Sequence, residues 1–179
     1  KNTVTVTNSS LTSLDIVGGY SSGPAEGNTV IIASTSAVGS ITGGNGNNAS
    51  NNRVEIYGSS GPNYGGFVDA GDALGNYVLI DTAADNIGTT YGGFSLKGDA
   101  NANTVEVKSG VVNQAIGGNG ENTANNRVIM SGGTDHYMLI GGYANGYGGT
   151  SSNNQVTLTG GEITYNDSQM PAASGGWAP

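Results

Sequence analysis

An Asn-x-Val unit recurs at Asn2, Asn28, Asn52, Asn76, Asn103, Asn126 and Asn154, at intervals of 26, 24, 24, 27, 23 and 28 residues. Between successive anchors lies a glycine pair: Gly18-Gly19, Gly43-Gly44, Gly65-Gly66, Gly92-Gly93, Gly117-Gly118 and Gly141-Gly142. A fixed period of this length decides the architecture before any motif does, because one repeat is too small to bury its own apolar face. A longer period lies over the short one. GGNGNNASNNRV (Gly43 to Val54) and GGNGENTANNRV (Gly117 to Val128) match at 9 of 12 places, 74 residues apart. Duplication of a three-coil unit accounts for that likeness without any shared function.

Each anchor opens a strand. The apolar pairs Val4/Val6, Val30/Ile32, Val54/Ile56, Val78/Ile80, Val105/Val107, Val128/Met130 and Val156/Leu158 alternate with period 2, the mark of a half-buried strand. The residues between them, Thr5, Ile31, Glu55, Leu79, Glu106, Ile129 and Thr157, form the outward column. A second strand is predicted before each glycine pair, as at Leu14/Ile16, Ile116 and Leu139. The pattern predicts an all-β chain wound as a parallel β-helix, or β-solenoid, of about seven coils of 23–28 residues. Stacking pairs each strand with its copy about 4.8 Å away and makes one continuous core, in a rod roughly 30–35 Å long. A β-sandwich also suits short strands with frequent turns, but nothing in it would repeat Asn-x-Val at one interval. The solenoid is expected over residues 1–163. Residues 164–179, with Met170, Pro171 and Trp177, read as an irregular tail or end cap.

Composition excludes several classes of function. Among 179 residues there are 33 Gly, no Cys, 5 Lys+Arg and 13 Asp+Glu, a net charge of -8. Without a basic stripe, nucleic acid is not an expected partner. No run approaches the length of a membrane-spanning apolar helix, so no membrane insertion is expected of this segment. No charged n-region precedes an apolar h-region, a pattern that a processed chain would share. Absence of Cys removes disulfides, thiol catalysis and Cys-zinc sites.

The seven anchor asparagines are expected to point inward and to bond one another and the adjacent backbone as an Asn ladder, since a buried amide without partners costs about 1–3 kcal/mol. The glycine pairs are expected at a second corner, supplying positive φ or a close backbone approach. Phosphate cradling would need a following helix and usually a Lys, and neither is apparent.

The residues after the glycine pairs are Tyr20, Asn45, Phe67, Phe94, Asn119 and Tyr143, with Trp177 in an imperfect final unit. Tyr64 and Tyr91 stand just ahead of their pairs. Two readings follow: a stacked core or corner ladder, or an exposed platform for sugar rings or a partner protein. Exposure of Phe67 and Phe94 separates them. Asp69, Asp72, Asp99 and Glu121 lie in Gly/Asn-rich turns that would suit calcium, which wants six or more oxygens, but Asp is also an ordinary turn former. No cofactor is expected, with calcium the only candidate.

Signs of catalysis are sparse. The single His136 follows Asp135, and no GxSxG elbow surrounds a Ser. Glu55 and Glu106 are outward and two coils apart, roughly 10 Å, near the 6.5–9.5 Å of an inverting carboxylate pair. No third polar partner is evident, and no enzyme is expected. The outward column is also too irregular for ice binding.

The segments GNTVII (Gly27 to Ile32), VGGYSSG (Val17 to Gly23), YGGFVDAGDALGNYVLI (Tyr64 to Ile80) and SGGTDHYMLIGGY (Ser131 to Tyr143) together resemble passenger repeats of bacterial autotransporters, the type V secreted surface proteins. The resemblance covers about residues 2–161. It implies a right-handed parallel β-helix displayed outside the cell, usually for adhesion, aggregation or biofilm formation. No membrane β-barrel translocator is recognised, and no protease or lipase site of that family matches residues here, so a fragment or processed passenger is expected.

The expected function is that of an extracellular bacterial surface scaffold or adhesin without catalysis. Its partners would be a host or bacterial surface glycan or protein, or copies of itself. One alternative is a self-assembling fibre subunit, stacking head-to-tail through exposed strand edges. The other is a carbohydrate-active β-helix.

Overall fold

The computed structural model describes residues 1–164 and 172–178. The described chain is all-β, without a helix, and winds as a parallel β-solenoid. Seven strands, Thr3–Val6, Thr29–Ile32, Arg53–Ile56, Tyr77–Asp81, Thr104–Ser109, Arg127–Met130 and Gln155–Leu158, form the first sheet. They pair in the register set by the repeat: Val4 on Val30, Val30 on Val54, Val54 on Val78, Val78 on Val105, Val105 on Val128 and Val128 on Val156. Seven rungs enclose six intervals, so the solenoid makes about six turns where seven coils were expected.

A second seven-stranded sheet holds the glycine pairs: Ile16–Val17, Ile41–Asn45, Asn63–Val68, Thr90–Ser95, Ala115–Gly120, Leu139–Ala144 and Ala173–Trp177. Its last strand lies in the segment expected to be an irregular tail; Leu139 pairs with Ala173 and Tyr143 with Trp177. Met170 and Pro171 of that segment lie outside the described residues. A six-stranded sheet of short strands, from Pro24–Glu26 to Ser151–Ser152, joins the second sheet back to the first. The remaining side is a column of two-residue strands, its halves connected through bridges at Ile87 to Ser60 and Val112.

The core lies between the first and second sheets. Val30, Ile32, Val54, Ile56, Val78, Ile80, Val105, Val107, Val128 and Met130 are buried there, packed against Ile41, Ala115 and Leu139. Charged side chains at these positions would forfeit apolar burial worth about 25 cal/mol per Å², which is why the alternation is kept in every coil.

The glycine pairs differ from expectation in place. Five of the six sit inside strands such as Thr90–Ser95, Gly18-Gly19 directly follows Ile16–Val17, and none has positive φ. The close approach is real: a Cβ on Gly66 would stand 2.6 Å from Nδ2 of Asn76, and one on Gly93 2.5 Å from the Asn103 amide. Positive φ recurs instead immediately before each anchor Asn from the second onward, at Gly27, Asn51, Gly75, Ala102, Asn125 and Asn153. That corner turns the chain from the short sheet into the first sheet, and Gly and Asn are the residues that tolerate it best.

Candidate functional site

The anchor asparagines form a directional chain of hydrogen bonds. Nδ2 of Asn28 donates to Oδ1 of Asn52 at 2.9 Å, and the same oxygen accepts from the Asn28 backbone N–H at 3.0 Å. The arrangement repeats from Asn2 to Asn28, Asn52 to Asn76, Asn76 to Asn103, Asn103 to Asn126 and Asn126 to Asn154. From Asn52 onward the second Nδ2 hydrogen is taken by a carbonyl of the short sheet, as from Asn76 to Ala49 O. From Asn52 to Asn126 each amide thus spends both donors and its oxygen inside the fold.

The aromatic residues lie on the outer face of the second sheet. In register order the column runs Tyr20, Asn45, Phe67, Phe94, Asn119, Tyr143, Trp177. Phe67 and Phe94 stack with centroids 5.4 Å apart and planes 1° apart; Tyr64 and Tyr91 do the same at 5.3 Å and 3°. The two stacks meet edge to face, Tyr64 against Phe67 at 5.2 Å and Tyr91 against Phe94 at 5.1 Å. Such pairs prefer offset-stacked and T-shaped geometry, and this quartet has both. Burial pushes the Tyr64 and Tyr91 hydroxyls above their ordinary value. The quartet is half-buried: its rings support one another and remain partly open to solvent. Tyr20 is 81% exposed, whereas Tyr143 and Trp177 pack on Ile116, Met138 and Ile140.

The outer face of the first sheet carries a second, polar group. Glu55, Leu79 and Glu106 share one register line, with Leu79 only 5% exposed between the carboxylates. Arg53 Nε donates to Glu55 Oε1 at 2.5 Å and Tyr57 OH to Oε2 at 3.0 Å. Tyr77 OH donates to Glu106, whose other oxygen lies 3.6 Å from Lys108 Nζ, and the Arg53 guanidinium sits 4.4 Å over the Tyr77 ring. Burial would raise the Glu55 carboxyl, but the hydrogen bonds from Arg53 and Tyr57, with the Arg53 charge, outweigh it and hold it below its ordinary value. The sequence reading found the two carboxylates but missed their partners Arg53, Tyr57, Tyr77 and Lys108. The available signal was parity, since Arg53 and Tyr77 lie two residues before Glu55 and Leu79 and share their outward face.

The acidic turns are tied by hydrogen bonds across coils. Asp72 accepts from the Asp99 backbone N–H at 3.0 Å, and Asp99 from Asn122 Nδ2 at 2.9 Å. Among the described residues no group of three or more His, Cys, Asp or Glu is placed to hold a metal ion, and Asp69 and Glu121 are exposed. His136 is exposed, with Nδ1 3.0 Å from Thr164 Oγ1. Its neighbour Asp135 is the unexpected group. It is fully buried in the inward stack between Val112 and Ile163, Oδ1 accepts the Tyr137 backbone N–H at 2.9 Å, and Oδ2 has no partner. Burial outweighs the backbone N–H groups of Tyr137 and Ala115 and pushes its carboxyl up to about 7.

Comparison with protein-family models, with curated proteins and with solved structures gives no match.

Proposed function

We propose that this chain is an extracellular, non-catalytic β-solenoid of the bacterial surface, a scaffold or adhesin that binds a glycan or protein through the outer face of its second sheet. The observation that carries this reading is the quartet Tyr64, Phe67, Tyr91 and Phe94, which stacks on the outside of the rod and not in its core. Large aromatic side chains on a rigid outer face supply contact area at low conformational cost, the pattern of binding surfaces. A right-handed winding, the hand taken by nearly all parallel β crossovers, belongs to the same proposal.

The polar group on the first sheet supports a non-catalytic role. An inverting carboxylate pair keeps room for a water between its two groups, and here the Leu79 side chain stands between Glu55 and Glu106 on the same register line. No cofactor enters this reading. Binding of the purified chain to a glycan array and to cells, compared with Phe67→Ala and Phe94→Ala, tests it. Loss of binding in the variants is expected; undiminished binding would overturn the assignment of the face.

The fibre alternative has its own support. Each interior ladder Asn donates to one neighbour and accepts from the other, so two coils of different chains can join by the same contact as two coils of one chain. Sedimentation at micromolar concentration decides this. A strictly monomeric rod would remove it.

A further inference from the structure

The aromatic column is interrupted where Asn119 takes the place of a ring between Phe94 and Tyr143. Phe94 and Tyr143 are two coils apart, about 9.6 Å at the usual strand spacing. Occupied rungs of the same column, Phe67 and Phe94, keep their centroids 5.4 Å apart. The interruption therefore leaves room for one further flat ring.

The structure shows a cavity of about 320 Å³ at that place, near the lower end of ligand-pocket size. Its apolar lining comes from Tyr91, Ile116, Met138, Ile140 and Tyr143, and no charged side chain enters it. The polar lining is two amides. Oδ1 of Asn119 accepts from Asn145 Nδ2 at 2.9 Å, and Asn145 is itself tied to Ser95 O at 3.2 Å. That bond orients the Asn119 amide, and its Nδ2 donates to no described residue. The Gln114 side-chain amide makes no hydrogen bond among the described residues either. Apolar walls with a few convergent polar groups are the usual make-up of a small-molecule site.

We propose that Asn119 marks a vacant rung of the aromatic column, filled by one pyranose ring of a neutral β-linked glycan that stacks on Tyr143, abuts Tyr91 and is hydrogen-bonded by Asn119 and Gln114. This rests on the reading of the outer aromatic face as the binding surface and assigns its ligand class. A β-linked hexopyranose with equatorial hydroxyls has flat faces of C–H groups, which suit aromatic rings, and an edge of hydroxyls, which suits amides. The uncharged lining selects neutral sugars, because a carboxylate or sulfate placed there would lose its hydration without gaining a cation. The related Asn45 lies between Tyr20 and Phe67, but Thr42 stands where Ile116 stands here and Tyr20 is 81% exposed, so that rung lacks the walls.

The test is calorimetric titration of the whole chain with cellohexaose and xylohexaose, and with hyaluronan and alginate oligosaccharides as acidic probes. Trp177, which packs on the same apolar cluster, is the only tryptophan and reports occupancy by a shift of its emission. The decisive variant is Asn119→Phe, which completes the column with a ring. Thermal melting confirms that it is folded, and Tyr143→Ala and Gln114→Ala provide independent variants. The expected result is binding of a neutral probe by the natural chain, lost by about tenfold or more in all three variants. Unchanged binding in Asn119→Phe, with loss in Phe67→Ala, would overturn the vacant rung and leave the aromatic face intact as the binding surface. Preference for the acidic probes, or no binding of any probe, would also overturn it; adhesion to cells would then judge the broader reading separately.

Discussion

Asn76 and Gly66 occupy the same space in turn: a Cβ on Gly66 would stand 2.6 Å from the Asn76 Nδ2. The two motifs that mark every coil are therefore one device, a strand without side chains leaving room for a buried amide. Gly66→Ala should cost about 1–3 kcal/mol by overpacking. Asn76→Ala should cost at least as much, because the Asn52 N–H and Nδ2 lose their shared acceptor, at about 1–3 kcal/mol for a buried unsatisfied group. Asn2→Ala, at an exposed ladder position, should be nearly neutral. Urea midpoints of the three variants check the order.

Ala102 has φ of 57°, at the corner position held by Gly or Asn in the other coils that have it. A left-handed conformation costs an L-residue about 1–2 kcal/mol, partly offset because glycine also gains freedom in the unfolded chain. Ala102→Gly should therefore stabilise the protein by about 0.5–1 kcal/mol, read as a higher melting temperature. A lower one would show that the corner is not strained.

Asp135 should make stability fall as pH rises. Its folded carboxyl titrates at about 7 against an ordinary value of 3.8, so the folded form holds its proton more tightly. Below pH 3.8 both forms are protonated and the group is neutral in effect. Between there and pH 7 the unfolded chain alone ionises, removing up to about 1.4 kcal/mol per pH unit, and above 7 the loss is complete. Asp135→Val, matching Val112 in the same stack, should abolish that slope and raise stability at pH 8. Denaturation midpoints from pH 4 to 8 that fall equally in both proteins would refute it.

The aromatic quartet should behave as a unit. A double-mutant cycle on Phe67 and Phe94 should show coupling of about 0.5–1.5 kcal/mol beyond lost area. Tyr20, exposed and outside the quartet, should tolerate Ala within about 0.5 kcal/mol.

Glu55→Gln and Glu106→Gln should leave glycan or cell binding unchanged. Mass spectrometry after long incubation with the bound glycan should find no shortened oligosaccharide with the natural chain or with either variant. Release by the natural chain that disappears in the variants would establish the carbohydrate-active alternative.

The repeat made the ladder, the inward valines and the parallel stacking legible, because each depends only on residues meeting their own copies one coil away. Even the isolation of Glu55 from Glu106 by Leu79 follows from that rule. The glycine pairs were misplaced because closeness to another segment and positive φ leave the same mark on a sequence, while the left-handed corner was hidden in the unremarked residue before each Asn. Within the expected tail or end cap, the strand Ala173–Trp177 was not legible because pairing to Leu139–Ala144 depends on a partner, not on local alternation.

What the chain alone determined is thus the period, and with it every contact between equivalent positions. Contacts between positions that are not equivalent were decided only in three dimensions. Tyr64 against Phe67, Tyr77 on Glu106, the buried Asp135 carboxyl and the gap at Asn119 all depend on how far side chains reach around or along the rod. A repeat specifies which backbones lie beside one another; the free volume and the unpaired polar atoms left between their side chains appear only when neighbouring coils differ.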